Sequence, residues 1–123
     1  MSKIALIEDN ADNRLLVRVM LQDVHEVREY ASAADALAGL LPDKPDLVLM
    51  DISLPDMDGA DLLRTIRADP ALGRLPVVAL TAHAMAGDRE KYLALGFDEY
   101  VTKPIVEESA LLNAIDRALK GSR

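Results

Sequence analysis

The stretch LVLMDISLPDMDG occupies residues 47–59 and begins with four consecutive apolar residues. Short apolar runs of this kind are typical of parallel strands that are covered on both faces. Asp51 follows the run directly, and the Pro and Gly residues beyond it indicate a loop. Because open α/β sheets bind ligands beyond the carboxyl ends of their strands, the stretch predicts a buried strand that presents Asp51 at a binding edge.

Similar apolar runs elsewhere in the chain predict further strands. IALI at residues 4–7 and VVAL at 77–80 are continuous, whereas EVREY at 26–30 alternates as an edge strand does and EYVT at 99–102 is a weaker strand. Helical patterns separate these segments, at residues 12–22, 32–41, 59–69, 87–96 and 107–120. Five strands alternating with five helices predict an α/β fold, a doubly wound parallel sheet.

Composition indicates one globular domain covering residues 1–123. Half of the residues are hydrophobic and 28% are charged, and no linker or repeat interrupts the chain. The absence of cysteine excludes disulfides and thiolate metal sites. The net charge of −7, without a cluster of basic residues, argues against nucleic acid as a partner. With no signal-peptide pattern and no apolar run of membrane-spanning length, we expect no membrane insertion and a cytoplasmic location.

Polar side chains follow four of the predicted strands and should meet at one edge of the sheet. Glu8 and Asp9 end the first strand, Asp51 the third and Thr81 the fourth, and Lys103 lies just past the fifth. A single Asp after a strand is more often a turn or cap residue. Three carboxylates together repel one another unless positive charge is supplied, and oxygen ligands suit a hard cation. The pattern favours Mg²⁺, with Lys103 as a second positive charge, and a site for a phosphoryl group.

These residues carry a resemblance to a known family. The motifs are LIEDN with Glu8 and Asp9, LVLMDISLPDMDG with Asp51, VVALTA with Thr81, and DEYVTKPI with Tyr100 and Lys103. In this order and spacing, the chain from Lys3 to about Leu119 resembles a response-regulator receiver domain of two-component signalling. The resemblance implies a flavodoxin-like sheet with strand order 2-1-3-4-5.

The resemblance also implies roles for the acidic residues. Asp51 would accept a phosphoryl group from a phosphohistidine and form an acyl phosphate. Asp9 and Asp51 would bind Mg²⁺, with the backbone carbonyl of Ser53 as a further ligand and Glu8 acting directly or through water. Lys103 would pair with the phosphoryl oxygens, so that placed cations supply most of the catalysis.

A switch is implied at the far end of the same edge. Thr81 would hydrogen-bond a phosphoryl oxygen, and Tyr100 would move from an exposed to a buried position, which changes the surface formed by residues 87–120. The family has a cis peptide bond between Lys103 and Pro104 that aims the lysine, although a trans proline before the last helix is the plain alternative.

Two further interpretations concern a histidine that borders the site and three arginines elsewhere in the chain. His83 is interpreted as an exposed modulator of the lifetime of the acyl phosphate rather than as a catalytic base. Arg14, Arg18 and Arg28 are most simply interpreted as solvated surface charges.

The implied function is that of a stand-alone receiver that is not an enzyme, apart from its own phosphorylation and dephosphorylation. Its partners would be a sensor histidine kinase or hybrid kinase, a histidine phosphotransfer protein and a downstream protein target. One alternative is a degenerate receiver that works unphosphorylated as a protein-binding module. The other is an aspartyl-phosphate phosphatase of the haloacid dehalogenase type, which needs a second Asp where Ser53 stands.

Overall fold

A computed structural model of the chain describes residues 2–82, 88–103 and 107–121. The described residues form five strands: β1 (Lys3–Ile7), β2 (Glu26–Tyr30), β3 (Leu47–Asp51), β4 (Val77–Thr81) and β5 (Glu99–Thr102). They also form five helices: α1 (Ala11–Leu21), α2 (Ala33–Asp43), α3 (Gly59–Ala68), α4 (Asp88–Leu95) and α5 (Glu108–Lys120). Strands and helices alternate along the chain, as the apolar pattern predicts.

The sheet is parallel throughout, with strand order β2-β1-β3-β4-β5. The predicted fold class and the strand order implied by the family resemblance are therefore confirmed. The second helix runs to Asp43, two residues past its predicted end, and includes Pro42. Pro42 lies in the last turn, and the helix ends directly after it: Lys44 adopts a left-handed backbone, φ 50°, and its N–H donates to the carbonyl of Leu40.

Helices cover both faces of the sheet, and each face has its own apolar cluster. On one face α2, α3 and α4 pack against the strands, through residues such as Leu40, Leu62 and Tyr92. On the other face α1 and α5 pack through residues such as Leu21 and Ile115. Because β3 and β4 are covered on both sides, every one of their residues is buried, which explains their continuous apolar sequences.

Three helices begin at the carboxyl edge of the sheet with a side-chain cap. Asn10 accepts a hydrogen bond from the N–H of Asn13, Ser32 from that of Asp35, and Asp58 from Ala60. All three capping residues are of types that are preferred at the position before a helix. The edge at which the strands end is consequently also the edge at which helices α1, α2 and α3 start.

The amino edge of the sheet is fastened by Arg67 at the end of α3. Its guanidinium donates to the carbonyls of Leu75 and Gly96 and forms an ion pair with Asp98 at 3.0 Å. Asp98 in turn accepts a hydrogen bond of 2.8 Å from the N–H of Val77, the first residue of β4. One arginine therefore joins α3 to the segments that enter β4 and β5.

Candidate functional site

The polar residues predicted to meet at the carboxyl edge of the sheet do meet there. Asp51 and Thr81 are the last residues of β3 and β4, and Glu8 follows β1. Although polar, these three are almost completely buried, with exposed fractions of 3%, 2% and 1%. Burying such groups is unfavourable unless each has a partner, so the contacts of the site decide what it can do.

Lys103 reaches the two buried carboxylates from the end of β5. Its Nζ lies 3.0 Å from Oε1 of Glu8 and 3.1 Å from Oδ2 of Asp51. Burial lowers the pKa of Lys103, but the hydrogen bonds and charges of Glu8 and Asp51 outweigh burial and raise it. The lysine is thus held as a cation between the carboxylates of Glu8 and Asp51.

Glu8 is tied to the start of α1 as well as to the lysine. Its carboxylate accepts hydrogen bonds from the backbone N–H of Asn10 at 3.2 Å and from the side-chain amide of Asn13 at 3.5 Å. Burial raises the pKa of Glu8 and nearby Asp51 adds to the rise, while Lys103 and Asn10 act in the opposite direction without cancelling it. Glu8 therefore takes up a proton more readily than an exposed carboxyl group, chiefly because it is buried.

The carboxylates form a group with the dimensions of a cation site. One oxygen from each of Glu8, Asp9 and Asp51 lies within 4.8 Å of the others, and Asp9 is exposed to solvent. These are hard oxygen donors, one open to water, as Mg²⁺ prefers. The residues present fit a magnesium ion, which would balance the charge that Lys103 leaves uncompensated.

The loop after Asp51 is held close to the end of β3. Oδ1 of Asp51 accepts a hydrogen bond of 3.0 Å from the N–H of Ser53, and Ser53 pairs with Asp58 across the loop. Gly59 packs so tightly that a Cβ atom there would lie 2.8 Å from Cα of Ile52. A side chain at position 59 would push the loop away, so glycine fixes where Ser53 lies relative to Asp51.

Asp56 fastens the same loop to a helix that is distant in sequence. Its carboxylate accepts hydrogen bonds from the N–H groups of Ala33 and Ala34, at 3.1 and 3.0 Å. These bonds lower the pKa of Asp56. Sequence reasoning missed this contact because no local pattern links a loop residue to a helix start more than 20 positions away.

Thr81 and Tyr100 lie on the α4 side of the sheet with Tyr92, a residue that the sequence did not single out. The hydroxyl oxygens of Thr81 and Tyr92 are 3.1 Å apart. The ring of Tyr92 is 6.0 Å from that of Tyr100, which is half-buried rather than fully exposed or buried. Tyr92 had one detectable signal: it is the first apolar residue after four charged residues in a short helical segment.

Some predicted positions fall elsewhere. His83 and Pro104, and with Pro104 the predicted cis bond, lie outside the described residues.

The interpretation of Arg14 as a solvated charge is wrong: its guanidinium donates to the carbonyl of Glu8 at 2.7 Å and approaches Glu29. That side chain is only 20% exposed, so it supports the backbone of the site.

None of the helices in the described ranges combines the length and the apolar character needed to cross a bilayer.

Comparisons with known proteins agree with this architecture. Residues 4–116 match the family model described as the response regulator receiver domain. The histidine-protein kinase BarA of Escherichia coli is 39% identical over 126 residues, an alignment that covers 98% of this chain but 14% of the kinase. The chain thus spans a small part of the kinases that it matches.

Two receivers of similar length extend the comparison. The polar-differentiation response regulator DivK of Brucella ovis is 36% identical over 83% of this chain and 84% of DivK. The receiver domain of the sensor histidine kinase PA1611 from Pseudomonas aeruginosa, solved with a magnesium ion coordinated in its active site cleft, superposes with a TM-score of 0.86. The two sequences are 34% identical, and the superposition covers 98% of each chain. The chain therefore belongs to the response regulator receiver domains of two-component signalling.

Proposed function

We propose that Asp51 accepts a phosphoryl group from a phosphohistidine, with Mg²⁺ at the acidic cluster, and that the resulting acyl phosphate switches the α4, β5 and α5 surface. One observation carries the proposal: a buried Asp51 carboxylate is flanked by the ammonium group of Lys103 at 3.1 Å and by the carboxylates of Glu8 and Asp9.

The transfer exchanges one bond to phosphorus for another. A carboxylate oxygen of Asp51 forms a P–O bond while the P–N bond to the donor imidazole breaks, and the imidazole leaves. Because the transition state is loose and its charge is spread over the equatorial oxygens, positioning and cations do most of the work. Bound Mg²⁺ would neutralise charge on the carboxylates and on the phosphoryl oxygens.

The chain's own residues prepare this step. The N–H of Ser53 holds one oxygen of Asp51, so the carboxylate cannot rotate freely. The Lys103 ammonium, raised in pKa by its acidic neighbours, remains charged and is within reach of an oxygen on phosphorus. Asp9, Asp51 and Glu8 would hold the metal ion, with the backbone carbonyl of Ser53 as a further ligand.

Thr81, Tyr100 and the Lys103–Pro104 bond complete the proposed machinery. Thr81 would donate a hydrogen bond to the phosphoryl group, and Tyr100 would then move from an exposed to a buried position. Tyr100 is half-buried and its ring packs near that of Tyr92, an arrangement between the exposed and the buried positions of the proposed switch. A cis Lys103–Pro104 bond would direct the lysine.

The proposed setting is a phosphorelay. Residues 1–123 would form a single cytoplasmic receiver domain that acquires its phosphoryl group from a hybrid kinase or a histidine phosphotransfer protein and docks on a downstream protein. Support comes from the relatives, which include receivers within the histidine kinases BarA and GacS and the response regulator DivK. Beyond its own phosphorylation and dephosphorylation, we propose no enzyme activity.

The alternatives fit the site less well. A module that works without phosphorylation has no need of three clustered carboxylates, two of which pair with a lysine. A phosphatase of the haloacid dehalogenase type needs a carboxylic acid two residues after the nucleophile, where this chain has Ser53.

Intact-protein mass after incubation with acetyl phosphate tests the proposal. With Mg²⁺ we expect an adduct of about 80 Da, and we expect none in EDTA or in Asp51→Asn. Asp9→Asn should weaken Mg²⁺ binding, while Asp12→Asn, an exposed acid in the first turn of α1, serves as the matched control. An adduct that persists in Asp51→Asn would exclude Asp51 as the acceptor.

A further inference from the structure

Tyr92 is a buried phenol whose hydroxyl meets the hydroxyl of Thr81. Tyr92 is 5% exposed and Thr81 is 2% exposed, and their oxygens are 3.1 Å apart. The ring of Tyr92 is fixed by Phe97, edge to face at 6.2 Å, and by Tyr100. A tyrosine held on two sides presents its hydroxyl at a defined point.

The contact directs the threonine away from the phosphoacceptor. Side chains alternate along a strand, and Val77 and Ala79 of β4 belong to the apolar cluster that contains Tyr92. Thr81 continues that series, so its side chain lies on the α4 face. Asp51 continues the series of Leu47 and Leu49, which face α1 and α5. The Thr81 hydroxyl must therefore turn to reach a phosphoryl group on Asp51.

The turn has to come from the side chain. The carbonyl of Thr81 accepts a hydrogen bond of 2.7 Å from the N–H of Lys103, and Thr81 pairs with Thr102 in the sheet. The backbone at this point is thus held by β5. Whichever of the two hydroxyls donates, the Thr81 hydroxyl oxygen lies beside that of Tyr92, so the side chain must rotate away from Tyr92 to bring this oxygen toward a phosphoryl group.

We propose that Tyr92 is a positioning residue that holds the Thr81 hydroxyl in its unphosphorylated orientation and so opposes the switch. The inference rests on the proposed function, because it assigns to Tyr92 a part in the response of Thr81 to the phosphoryl group. Phosphorylation must displace the Tyr92–Thr81 hydrogen bond, and the strength of this bond sets how far the unphosphorylated state is favoured.

Removal of one oxygen atom tests the proposal. Tyr92→Phe keeps the ring that packs against Phe97 and Tyr100 but loses the hydroxyl. Fluorine NMR in the presence of Mg²⁺ measures the affinity of each protein for fluoroberyllate, a mimic of the phosphoryl group. We expect Tyr92→Phe to bind fluoroberyllate about fivefold more tightly than the wild type does, because one hydrogen bond that opposes the switch is lost.

The coupling to Thr81 separates a positioning role from a general effect on the fold. In a Thr81→Ala background, Tyr92→Phe should leave the affinity unchanged, because the hydroxyl that Tyr92 holds is already absent. Tyr30→Phe is the matched control, since it removes a hydrogen-bonded phenol hydroxyl from β2. Its affinity for fluoroberyllate should equal that of the wild type.

The outcomes distinguish this inference from the proposed function. Equal or weaker binding by Tyr92→Phe, while the wild type binds fluoroberyllate and is phosphorylated on Asp51, overturns the role of Tyr92 alone. The same conclusion follows if Tyr92→Phe changes the affinity equally with and without the Thr81 hydroxyl. If no protein, including the wild type, binds fluoroberyllate or takes up phosphate, the proposed function is wrong and this inference is wrong with it.

Discussion

The Nζ of Lys103 lies 3.1 Å from Oδ2 of Asp51, two residues that are more than 50 positions apart in the chain. Its second carboxylate partner, Glu8, is 1% exposed, so the lysine neutralises charge that water cannot reach. The same ammonium group thus serves the stability of the resting protein and the proposed chemistry.

Lys103→Met should destabilise the protein and slow its phosphorylation. The substitution leaves two buried carboxylates without their cation, and we expect a loss of about 2 kcal/mol in the free energy of unfolding in EDTA. Mg²⁺ should restore part of this loss, because it binds the same carboxylates. Lys120→Met removes a lysine from an exposed pair with Asp116 and should cost less than about 0.5 kcal/mol. Denaturant unfolding with and without Mg²⁺ provides both values, and equal losses in the two variants would contradict the role of Lys103.

Gly59→Ala should displace the loop that follows the phosphoacceptor. A Cβ atom at this position would come within 2.8 Å of the Ile52 backbone, which cannot yield as a flexible side chain does. We expect a loss of about 1–3 kcal/mol in unfolding free energy. Mg²⁺ affinity should fall as well, because Ser53 moves with the loop. At Gly121, after α5, an added Cβ atom would lie 3.3 Å from the carbonyl oxygen of Arg117, a milder clash far from the site, so Gly121→Ala should cost less stability than Gly59→Ala and leave the Mg²⁺ affinity unchanged.

Asp56→Ala should weaken the attachment of the same loop to α2, with an effect that depends on pH. The hydrogen bonds from Ala33 and Ala34 lower the pKa of Asp56 below its ordinary value of 3.8. A carboxylate with a lowered pKa in the folded state stabilises the protein above pH 3.8 and loses that contribution as the pH falls through the folded pKa. The difference in stability between the wild type and Asp56→Ala should therefore be constant near neutral pH and shrink in acid. Denaturant unfolding from neutral to acid pH provides this difference, and a difference that does not shrink in acid would contradict the role of the Asp56 carboxylate.

Tyr30→Phe should alter stability in alkaline solution. Burial, the hydrogen bond to Asp43 and the charge of Asp43 raise the pKa of Tyr30 from 10.0 to about 12. A raised pKa means that the contribution to stability is complete below pH 10 and is lost as the pH rises toward 12. The wild type should lose stability over this interval faster than Tyr30→Phe. Unfolding by urea at a series of pH values measures the difference, and parallel curves would contradict the assignment.

Much of the fold and the site could be predicted because the relevant signals are local. Buried parallel strands read as apolar tetrapeptides, and a polar residue at the end of each one marks the shared edge. Hence Glu8, Asp51, Thr81 and Lys103 could be predicted to converge from four separate segments. The strand order needed the family resemblance, since periodicity reports which residues are buried and not which strands are neighbours.

The contacts that local patterns miss are those made across the fold. Asp56 caps a helix that begins more than 20 positions earlier in the chain, and Arg14 bonds to a backbone carbonyl rather than to water. Tyr92 gives only the signal of an apolar position on a helix, whereas its importance lies in the position of its hydroxyl. Hydrogen-bond geometry depends on tertiary packing, which hydrophobic spacing does not encode.

The Arg67 contacts have a consequence for how displacement is distributed in the sheet. They hold the entries to β4 and β5 against the end of α3, at the edge opposite the carboxylates. Because these contacts hold the amino ends of the two strands, the effect of a rotation of the Thr81 side chain should be largest at the carboxyl end of β4 and smallest at its amino end. Amide hydrogen exchange along β4 should accordingly change most at Thr81 and least at Val77 when the phosphoryl group is attached.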